Sequence, residues 1–186
     1  DFGDFVAARL RRSPLRAEQL CLEITETSVV RDMTRARRFI GRMRDLGFRF
    51  ALDDFGTGYS SLTYLKRLPL DRLKIDRSFV ADLDGEESGR LLVQTILVIA
   101  RNLGLECVAE GIENVEQAQY LRSVGCECAQ GYYYARPLPA QAIVERVAIG
   151  GVKGVDATAQ LIDLNETVAV MRGESGRVHV RLTIPS

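Results

Sequence analysis

The chain has 186 residues, of which 46% are hydrophobic and 27% charged, and its 25 basic and 25 acidic residues balance to a formal net charge of zero. This composition is typical of a globular protein with a sizeable core and excludes a disordered or fibrous chain. The balanced charge argues against broad electrostatic capture of nucleic acid or of an anionic membrane. We therefore expect no DNA partner and only local contacts with phosphate.

No apolar run reaches the about 18 residues that a membrane span requires, and the N-terminus lacks the basic and then apolar layout of a signal peptide. We therefore expect a cytoplasmic domain with no span of its own, or the cytoplasmic part of a membrane-anchored protein. The cysteines lie in or beside apolar runs without a Cys-x-x-Cys pair, at positions Cys21, Cys107, Cys126 and Cys128. With one histidine in the chain, this pattern favours buried reduced thiols over a structural zinc site.

Strand and helix patterns alternate along the chain. The first strand is predicted at "LCLEIT", and the helix after it, which ends at Gly47, has apolar residues at helical spacing: Val30, Met33, Phe39, Ile40, Met43 and Leu46. The pattern continues with a strand "FRFALD", a short helix "SLTYLKRL" ended by Pro69, a strand "RLKI", a long helix "GRLLVQTILVIARNLG", a strand "ECVAE", a helix "NVEQAQYLRSVG" capped by Asn114, and a strand "CECAQG". Strands joined by helices through short loops predict a parallel sheet.

Polar side chains end each predicted strand: Glu23 and Glu26, then Asp53 and Asp54, Lys74 and Asp76, Glu110 and Glu113, and finally Gln130. Because the carboxyl ends of parallel strands share one edge, we expect these groups to converge there. So many carboxylates require cations, and oxygen ligands select ions such as Mg²⁺ or Mn²⁺, which hydrolyse phosphodiesters when two are held about 4 Å apart. The alternatives to a metal site are that Asp53 and Asp54 form an Asx turn and that Lys74 forms a surface salt bridge.

Five segments carry a resemblance to a known family. "LEITET" (22–27), "DDFGTGYSSL" (53–62), "LKIDRSFV" (73–80), "VAEGIE" (108–113) and "QGYYYARPLP" (130–139) together resemble the EAL domain family of bacterial cyclic di-GMP phosphodiesterases. The resemblance implies an α/β fold, a TIM-like β/α barrel of the EAL type represented here by about five βα units. It also implies hydrolysis of cyclic di-GMP to linear pGpG in bacterial second-messenger signalling, with two Mg²⁺ or Mn²⁺ ions per complete site.

The resemblance also implies roles for individual residues. Glu110 would act as the base, Lys74 would orient the attacking water, and Glu26 would steady the loop that follows Asp54. Four carboxylates would bind the metal ions: Glu23, Asp53, Asp54 and Glu110. Asp53 would bridge the two ions. Four further residues would contact the substrate or support the residues that do: Asp76, Glu113, Gln130 and Pro137.

The glycine-rich "FGTGYSS" following the two aspartates predicts a loop that moves when a ligand or partner arrives, and a plain turn is the alternative. Tyr132, Tyr133 and Tyr134 could stack on a guanine base, but we expect at least two of them in the core. The resemblance further implies a homodimer formed through "SSLTYLKRL", and sensor or GGDEF domains upstream.

The sequence departs from the family in one respect. The Glu-Ala-Leu motif and the asparagine ligand of the following strand are absent, so we expect about three strands of an eight-stranded barrel to be missing. The complete domain would then be the enzyme, and this chain alone would be inactive. The alternative functions are a non-catalytic cyclic di-GMP receptor or regulatory module, and an unrelated metal-using barrel enzyme.

We place the partial EAL domain at residues 1–149 and a C-terminal extension at residues 150–186. Within the extension, "TVAVMRGESGRVHVRLTI" alternates polar and apolar residues around a glycine-containing turn, which predicts a β-hairpin. Its strands are candidates to cover the open edge of the sheet. His179 falls on the polar side of its run and is expected to be solvated rather than to bind a ligand.

Overall fold

The computed structural model describes residues 2–56, 62–85, 87–137 and 178–180. Its strands are β1 (Leu20–Thr25), β2 (Arg49–Phe55), β3 (Arg72–Ile75), β4 (Glu106–Ala109), β5 (Cys128–Ala129) and β6 (Val178–Val180). Its helices are α1 (Phe2–Leu10), α2 (Glu26–Arg31), α3 (Met33–Asp45), α4 (Leu62–Arg67), α5 (Arg77–Ala81), α6 (Glu87–Asn102) and α7 (Val115–Ser123), with single 3-10 turns at Ala17–Gln19 and Asp82–Asp84.

The strands form one parallel sheet in the order β5-β4-β3-β2-β1-β6. Strands β1 to β5 therefore lie side by side in chain order, with helices in the connections. This arrangement confirms the predicted α/β alternation, and it brings the carboxyl ends of the five strands to one edge because parallel strands all run the same way.

A single apolar cluster joins the sheet to its helices. Ile40 and Met43 of α3, Leu52 of β2, Leu73 of β3 and Val93 of α6 are all fully buried in it. Burying side chains of this size contributes about 1.5–3 kcal/mol each. The helices are therefore held on the sheet by apolar packing, which leaves the ends of the strands for polar groups.

The first predicted helix is divided in two. Asp32 separates α2 from α3, and its Oδ1 accepts a hydrogen bond from the Arg35 backbone N–H at 2.8 Å, which makes it the N-cap of α3. The break changes the helical phase, so Val30 is 50% exposed rather than buried, and Leu46, beyond the last turn of α3, is 51% exposed. The prediction that these two residues share the apolar stripe is therefore wrong.

Other local signals match the structure. The Asn114 side chain accepts from the Gln117 backbone N–H at 2.8 Å, which confirms the predicted cap of α7. Gly47 follows α3 with φ +95°, a left-handed conformation that glycine adopts without steric cost. Helix α4 ends at Arg67, two residues before Pro69.

At the other edge of the sheet, β6 lies beside β1, with Val178 opposite Leu20 and Val180 opposite Leu22. A segment of the C-terminal extension therefore pairs with the edge strand. The remainder of the predicted hairpin lies outside the described residues, and the division into residues 1–149 and 150–186 stays a prediction.

The four cysteines are free thiols, as expected, but of the four only Cys21 and Cys107 are buried, while Cys126 and Cys128 are partly exposed. Burial raises the pKa of Cys21 to about 11 and that of Cys107 to about 12, so both are protonated at neutral pH. Among the described residues, none of the helices has the length and apolarity needed to cross a bilayer.

Gly131 gives a test of how closely the chain packs next to the strand ends. A Cβ at this position would lie 2.1 Å from the carbonyl oxygen and 2.2 Å from the nitrogen of Ile112. Because backbone atoms cannot move aside cheaply, we expect Gly131→Ala to reduce the free energy of unfolding by about 1–3 kcal/mol. Gly41→Ala, in α3 with open space within 4 Å of the point that its methyl group would occupy, should instead stabilise by about 0.5–1 kcal/mol. Urea unfolding of both variants measures the difference, and equal effects would contradict it.

Candidate active site

Lys74 of β3 is the centre of the polar edge. It is 2% exposed, and its Nζ lies 2.8 Å from Glu23 Oε2, 2.9 Å from Asp53 Oδ1 and 2.6 Å from Glu110 Oε1. These carboxylates come from β1, from β2 and from the residue that follows β4. The structure therefore brings together four of the residues that the sequence placed at the strand ends, and it excludes a surface salt bridge for Lys74.

The charges in this cluster do not balance. Burial alone would lower the pKa of Lys74, but the carboxylates of Glu110, Glu23 and Asp53 outweigh it and raise the pKa well above its usual range. Burial raises the pKa of Glu110, and the nearby ammonium opposes that rise only in part. One ammonium group faces three carboxylates, so the cluster is net negative and attracts a further cation.

The adjacent aspartates reach the same place because β2 is irregular. Successive side chains of a regular strand point to opposite faces, but the register of β2 against β3 shifts between Leu52 and Phe55. Asp54 has φ 56°, a left-handed conformation that aspartate tolerates better than most residues. Its backbone N–H donates to Asp53 Oδ1 at 3.1 Å. The distortion turns both carboxylates towards one site.

The donor atoms fit a hard divalent cation. Asp53, Asp54 and Glu110 each offer one oxygen, and the three oxygens lie within 4.8 Å of one another. Such cations bind carboxylate oxygens at about 2.0–2.6 Å, so the oxygens around one ion lie within about 5 Å. A donor set made only of oxygen selects Mg²⁺, Mn²⁺ or Ca²⁺ over softer metals.

Glu26 connects the two ends of the glycine-rich segment. It is 3% exposed, and its Oε2 accepts from the Gly56 backbone N–H at 3.0 Å while its Oε1 accepts from the Tyr64 hydroxyl of α4. One carboxylate therefore holds the residues before and after positions 57–61. The loop-stabilising role expected of Glu26 stays a prediction.

Tyr64 was not predicted from the sequence. Its side chain is 4% exposed, and a tyrosine buried to this extent requires a partner for its hydroxyl group. A tyrosine among the apolar positions of "SLTYLKRL" was the available signal, but the partner, Glu26, is 38 residues away in the chain.

The remaining predicted residues occupy different positions. The Gln130 side-chain amide donates to Glu110 Oε1 and so belongs to the cluster. Asp76 lies beyond the end of β3 and caps α5, accepting from the Ser78 backbone N–H at 3.0 Å and from its hydroxyl at 2.6 Å. Burial would raise the pKa of Asp76, but the hydrogen bonds from Ser78 outweigh burial and lower it. Glu113 and Pro137 are exposed, and their contacts with a substrate stay predictions.

The loop that carries Glu110 has a support that the sequence analysis missed. Gln117 is 3% exposed; its amide nitrogen donates to Asp84 Oδ2 at 2.8 Å, and its amide oxygen accepts from the Glu113 backbone N–H at 2.8 Å. Asn114 donates to the same Asp84 oxygen at 2.9 Å. The spacing of Asn114 and Gln117 resembles a capping box and was the available signal.

The prediction for the three tyrosines is wrong. Tyr132, Tyr133 and Tyr134 are 55%, 44% and 50% exposed, because β5 ends at Ala129 and the chain then turns, with the Tyr133 backbone N–H bonded to the Ile112 carbonyl at 3.0 Å. The Arg136 guanidinium lies 4.6 Å from the centre of the Tyr132 ring. An aromatic surface therefore faces solvent just beyond Gln130.

Comparison with known proteins assigns this fold and site to a family. The sequence profile of the EAL domain matches residues 1–137. Cyclic di-GMP phosphodiesterase NbdA of Pseudomonas aeruginosa is 44% identical over 142 residues, which are 76% of this chain and 18% of NbdA. The chain therefore belongs to the EAL domain family, and it spans about a fifth of the length of the curated relatives that it matches.

Solved structures show the same fold. The PaMucR phosphodiesterase in complex with c-di-GMP is 40% identical, with a TM-score of 0.72 over 75% of this chain and 57% of that one. The manganese and cy-diGMP complex of Klebsiella pneumoniae BlrP1 at pH 6 is 33% identical, with a TM-score of 0.65 over 69% of this chain and 33% of that one. The expected EAL-type β/α fold is thereby confirmed.

Tyr64→Phe tests the connection between α4 and Glu26. The substitution keeps the ring but removes a buried hydrogen bond to a carboxylate, so we expect a loss of about 1–3 kcal/mol in the free energy of unfolding. Tyr120→Phe is the matched control, because its hydroxyl donates to the Arg90 carbonyl at 3.1 Å on an exposed surface and should cost less than about 0.5 kcal/mol. Denaturant unfolding compares the two variants, and a control that loses as much as Tyr64→Phe would exclude a special role for Tyr64.

Proposed function

We propose that this domain, in the protein that carries it, hydrolyses cyclic di-GMP to linear pGpG. The observation that carries the proposal is the cluster at the carboxyl ends of the strands, where Lys74 contacts Glu23, Asp53 and Glu110 at 2.6–2.9 Å. The names of NbdA and of the PaMucR complex support the substrate. A cluster of this kind can hold a phosphodiester beside both a positive charge and a proton acceptor.

The chemistry requires water to attack phosphorus while the bond to one ribose oxygen breaks. The attacking water must lose a proton, and the departing ribose oxygen must gain one. Glu110 suits the first task, because burial raises the pKa of its carboxyl group and makes its carboxylate a stronger base. Lys74 keeps its charge in this setting, so its ammonium can orient the water and stabilise the negative charge that develops on the phosphate oxygens.

We further infer that Asp53, Asp54, Glu23 and Glu110 would hold two divalent cations, Mg²⁺ or Mn²⁺. The manganese complex of BlrP1 supports this choice, as does the all-oxygen donor set. When bound, such ions supply positive charge at the scissile phosphate and lower the pKa of water.

We also infer the cellular compartment, the accompanying domains and the oligomeric state of this domain. The four free thiols suit a reducing compartment such as the cytoplasm. Because the chain covers about a fifth of its curated relatives, we infer that sensor or GGDEF domains accompany it in the full protein. We also infer a homodimer formed through the segment that contains α4.

The central test uses the full protein with cyclic di-GMP and either Mg²⁺ or Mn²⁺, followed by chromatography of the nucleotides. We expect linear pGpG to appear with either ion and to disappear when Ca²⁺ replaces them. Binding of cyclic di-GMP without pGpG formation would identify a receptor instead, and neither binding nor turnover would contradict both.

Asp53→Asn tests the metal site itself. Removing one of the carboxylates that would hold the cations should lower kcat more than about a hundredfold, because the charge that it supplies is worth several kcal/mol. Glu26→Ala, which removes only a support of the loop, should cost less, and Asp45→Asn on the exposed end of α3 should leave kcat unchanged. Steady-state kinetics measures all three, and similar small losses for Asp53→Asn and Glu26→Ala would place Asp53 away from the metals.

A further inference from the structure

A second polar layer lies directly below the proposed active site. We call the site residues the upper layer: Glu23, Asp53, Lys74, Glu110 and Gln130. The lower layer consists of one residue each of β1, β3, β4 and β5: Cys21, Arg72, Glu106 and Cys128. Each of these precedes an upper-layer residue by two positions, or by four for Glu106, so both layers lie on the same face of the sheet.

Arg72 is the centre of the lower layer, as Lys74 is of the upper one. It is 2% exposed, and its Nε donates to Glu106 Oε2 at 2.6 Å. Glu106 stands directly opposite Arg72 in the register of β3 and β4, and its other carboxylate oxygen accepts from the Cys128 thiol at 3.2 Å. The ion pair therefore connects β3 to β4, and the thiol extends the connection to β5.

The same arginine also influences β1. Burial raises the pKa of the Cys21 thiol, and the positive charge of Arg72 opposes part of that rise, although β2 separates the two strands. The β2 residue opposite Arg72 is Ala51, which is 1% exposed. A methyl group at this position leaves room for the long side chain to cross β2.

The strands that lead to Lys74 and Glu110 are short. Strands β3 and β4 have four residues each, and β5 has two. The Arg72 side chain is 3% exposed and that of Glu106 is 29% exposed, so water has little access to the arginine end of the ion pair. The pair adds a directional connection between strands whose hydrogen-bonded ladder is short. Charge-assisted bonds of this kind are stronger and more geometrically specific than neutral ones.

We propose that Arg72 and Glu106 are positioning residues for the upper layer: their ion pair sets the separation of β3 and β4 below Lys74 and Glu110, and thereby the geometry in which these two groups and the aspartates receive a divalent cation and the phosphodiester. The inference rests on the proposed function for its catalytic part, but its effect on metal binding stands apart from turnover. Neither residue touches the reacting atoms.

The test compares Arg72→Met, Arg72→Lys and Glu106→Gln in the full protein with Arg44→Met as the control. Arg44 forms an ion pair of the same kind, at 2.8 Å from Asp71 Oδ2 at the start of β3, but it connects to α3 outside both layers. Four quantities are measured: the thermal unfolding midpoint, the dissociation constant for Mn²⁺ by electron paramagnetic resonance, and kcat and KM for cyclic di-GMP.

We expect Arg72→Met to weaken Mn²⁺ binding about tenfold and to lower kcat by about 10–100-fold with little change in KM, which is the usual range for groups that support metal ligands. Arg72→Lys should recover most of both losses, and Glu106→Gln should fall between. Arg44→Met should lower the unfolding midpoint but leave Mn²⁺ binding and kcat unchanged.

Folded Arg72→Met with wild-type Mn²⁺ affinity and kcat would overturn the inference, as would equal losses in Arg44→Met. If Arg72→Met does not fold, Arg72→Lys and Glu106→Gln decide the question against the same control. A wild-type protein that binds Mn²⁺ without hydrolysing cyclic di-GMP would contradict the proposed function alone. The Mn²⁺ dissociation constants of the variants would still test whether Arg72 and Glu106 position the metal ligands. A wild-type protein that binds no Mn²⁺ would overturn both.

Discussion

The contact of the Lys74 ammonium with three carboxylates determines the arrangement of the strand ends. Glu23, Asp53 and Glu110 belong to β1, β2 and the residue after β4, and each is at most 8% exposed. Carboxylates brought this close would repel one another and resist ionisation, and removing them from water is costly unless a partner is present. Lys74 supplies that partner from the middle of the sheet, so three strands depend on one side chain for their relative positions.

Local backbone rules are broken where the chemistry requires it. A regular β2 would place Asp53 and Asp54 on opposite faces, and the register shift with the left-handed Asp54 brings them together. Strain of this kind persists only where the surroundings hold it. Here the surroundings include Glu26, which binds Gly56 just beyond the distortion and Tyr64 beyond the glycine-rich segment.

The two faces of the sheet differ in polarity. The face towards the helices is apolar and supplies the packing that stabilises the domain, with Leu52, Leu73 and Ile75 fully buried. The opposite face carries two layers of charged and polar side chains centred on Arg72 and Lys74. Buried charges of this kind contribute less to stability than apolar residues of the same size, so their presence on strands this short is explained better by the geometry of the site than by the stability of the fold.

The sequence by itself determined which elements form and where the site lies. Strands alternating with helices imply a parallel sheet, parallel strands share one polar edge, and the polar residues at or near the ends of "LCLEIT", "FRFALD", "RLKI" and "ECVAE" identified that edge. The same local reasoning found the Asn114 cap, because a cap depends on residues three positions apart.

Tertiary structure decided everything that depends on distant partners. The tyrosines after Gln130 are exposed because β5 is only two residues long, which depends on its pairing with β4 rather than on its own composition. Tyr64 binds Glu26, 38 positions away, and Arg72 binds Glu106, 34 positions away. The periodicity of the sequence does not reveal pairs so far apart. The convergence of Asp53 and Asp54 likewise required the distorted register between β2 and β3, since the direction of a side chain follows the backbone that neighbouring strands impose.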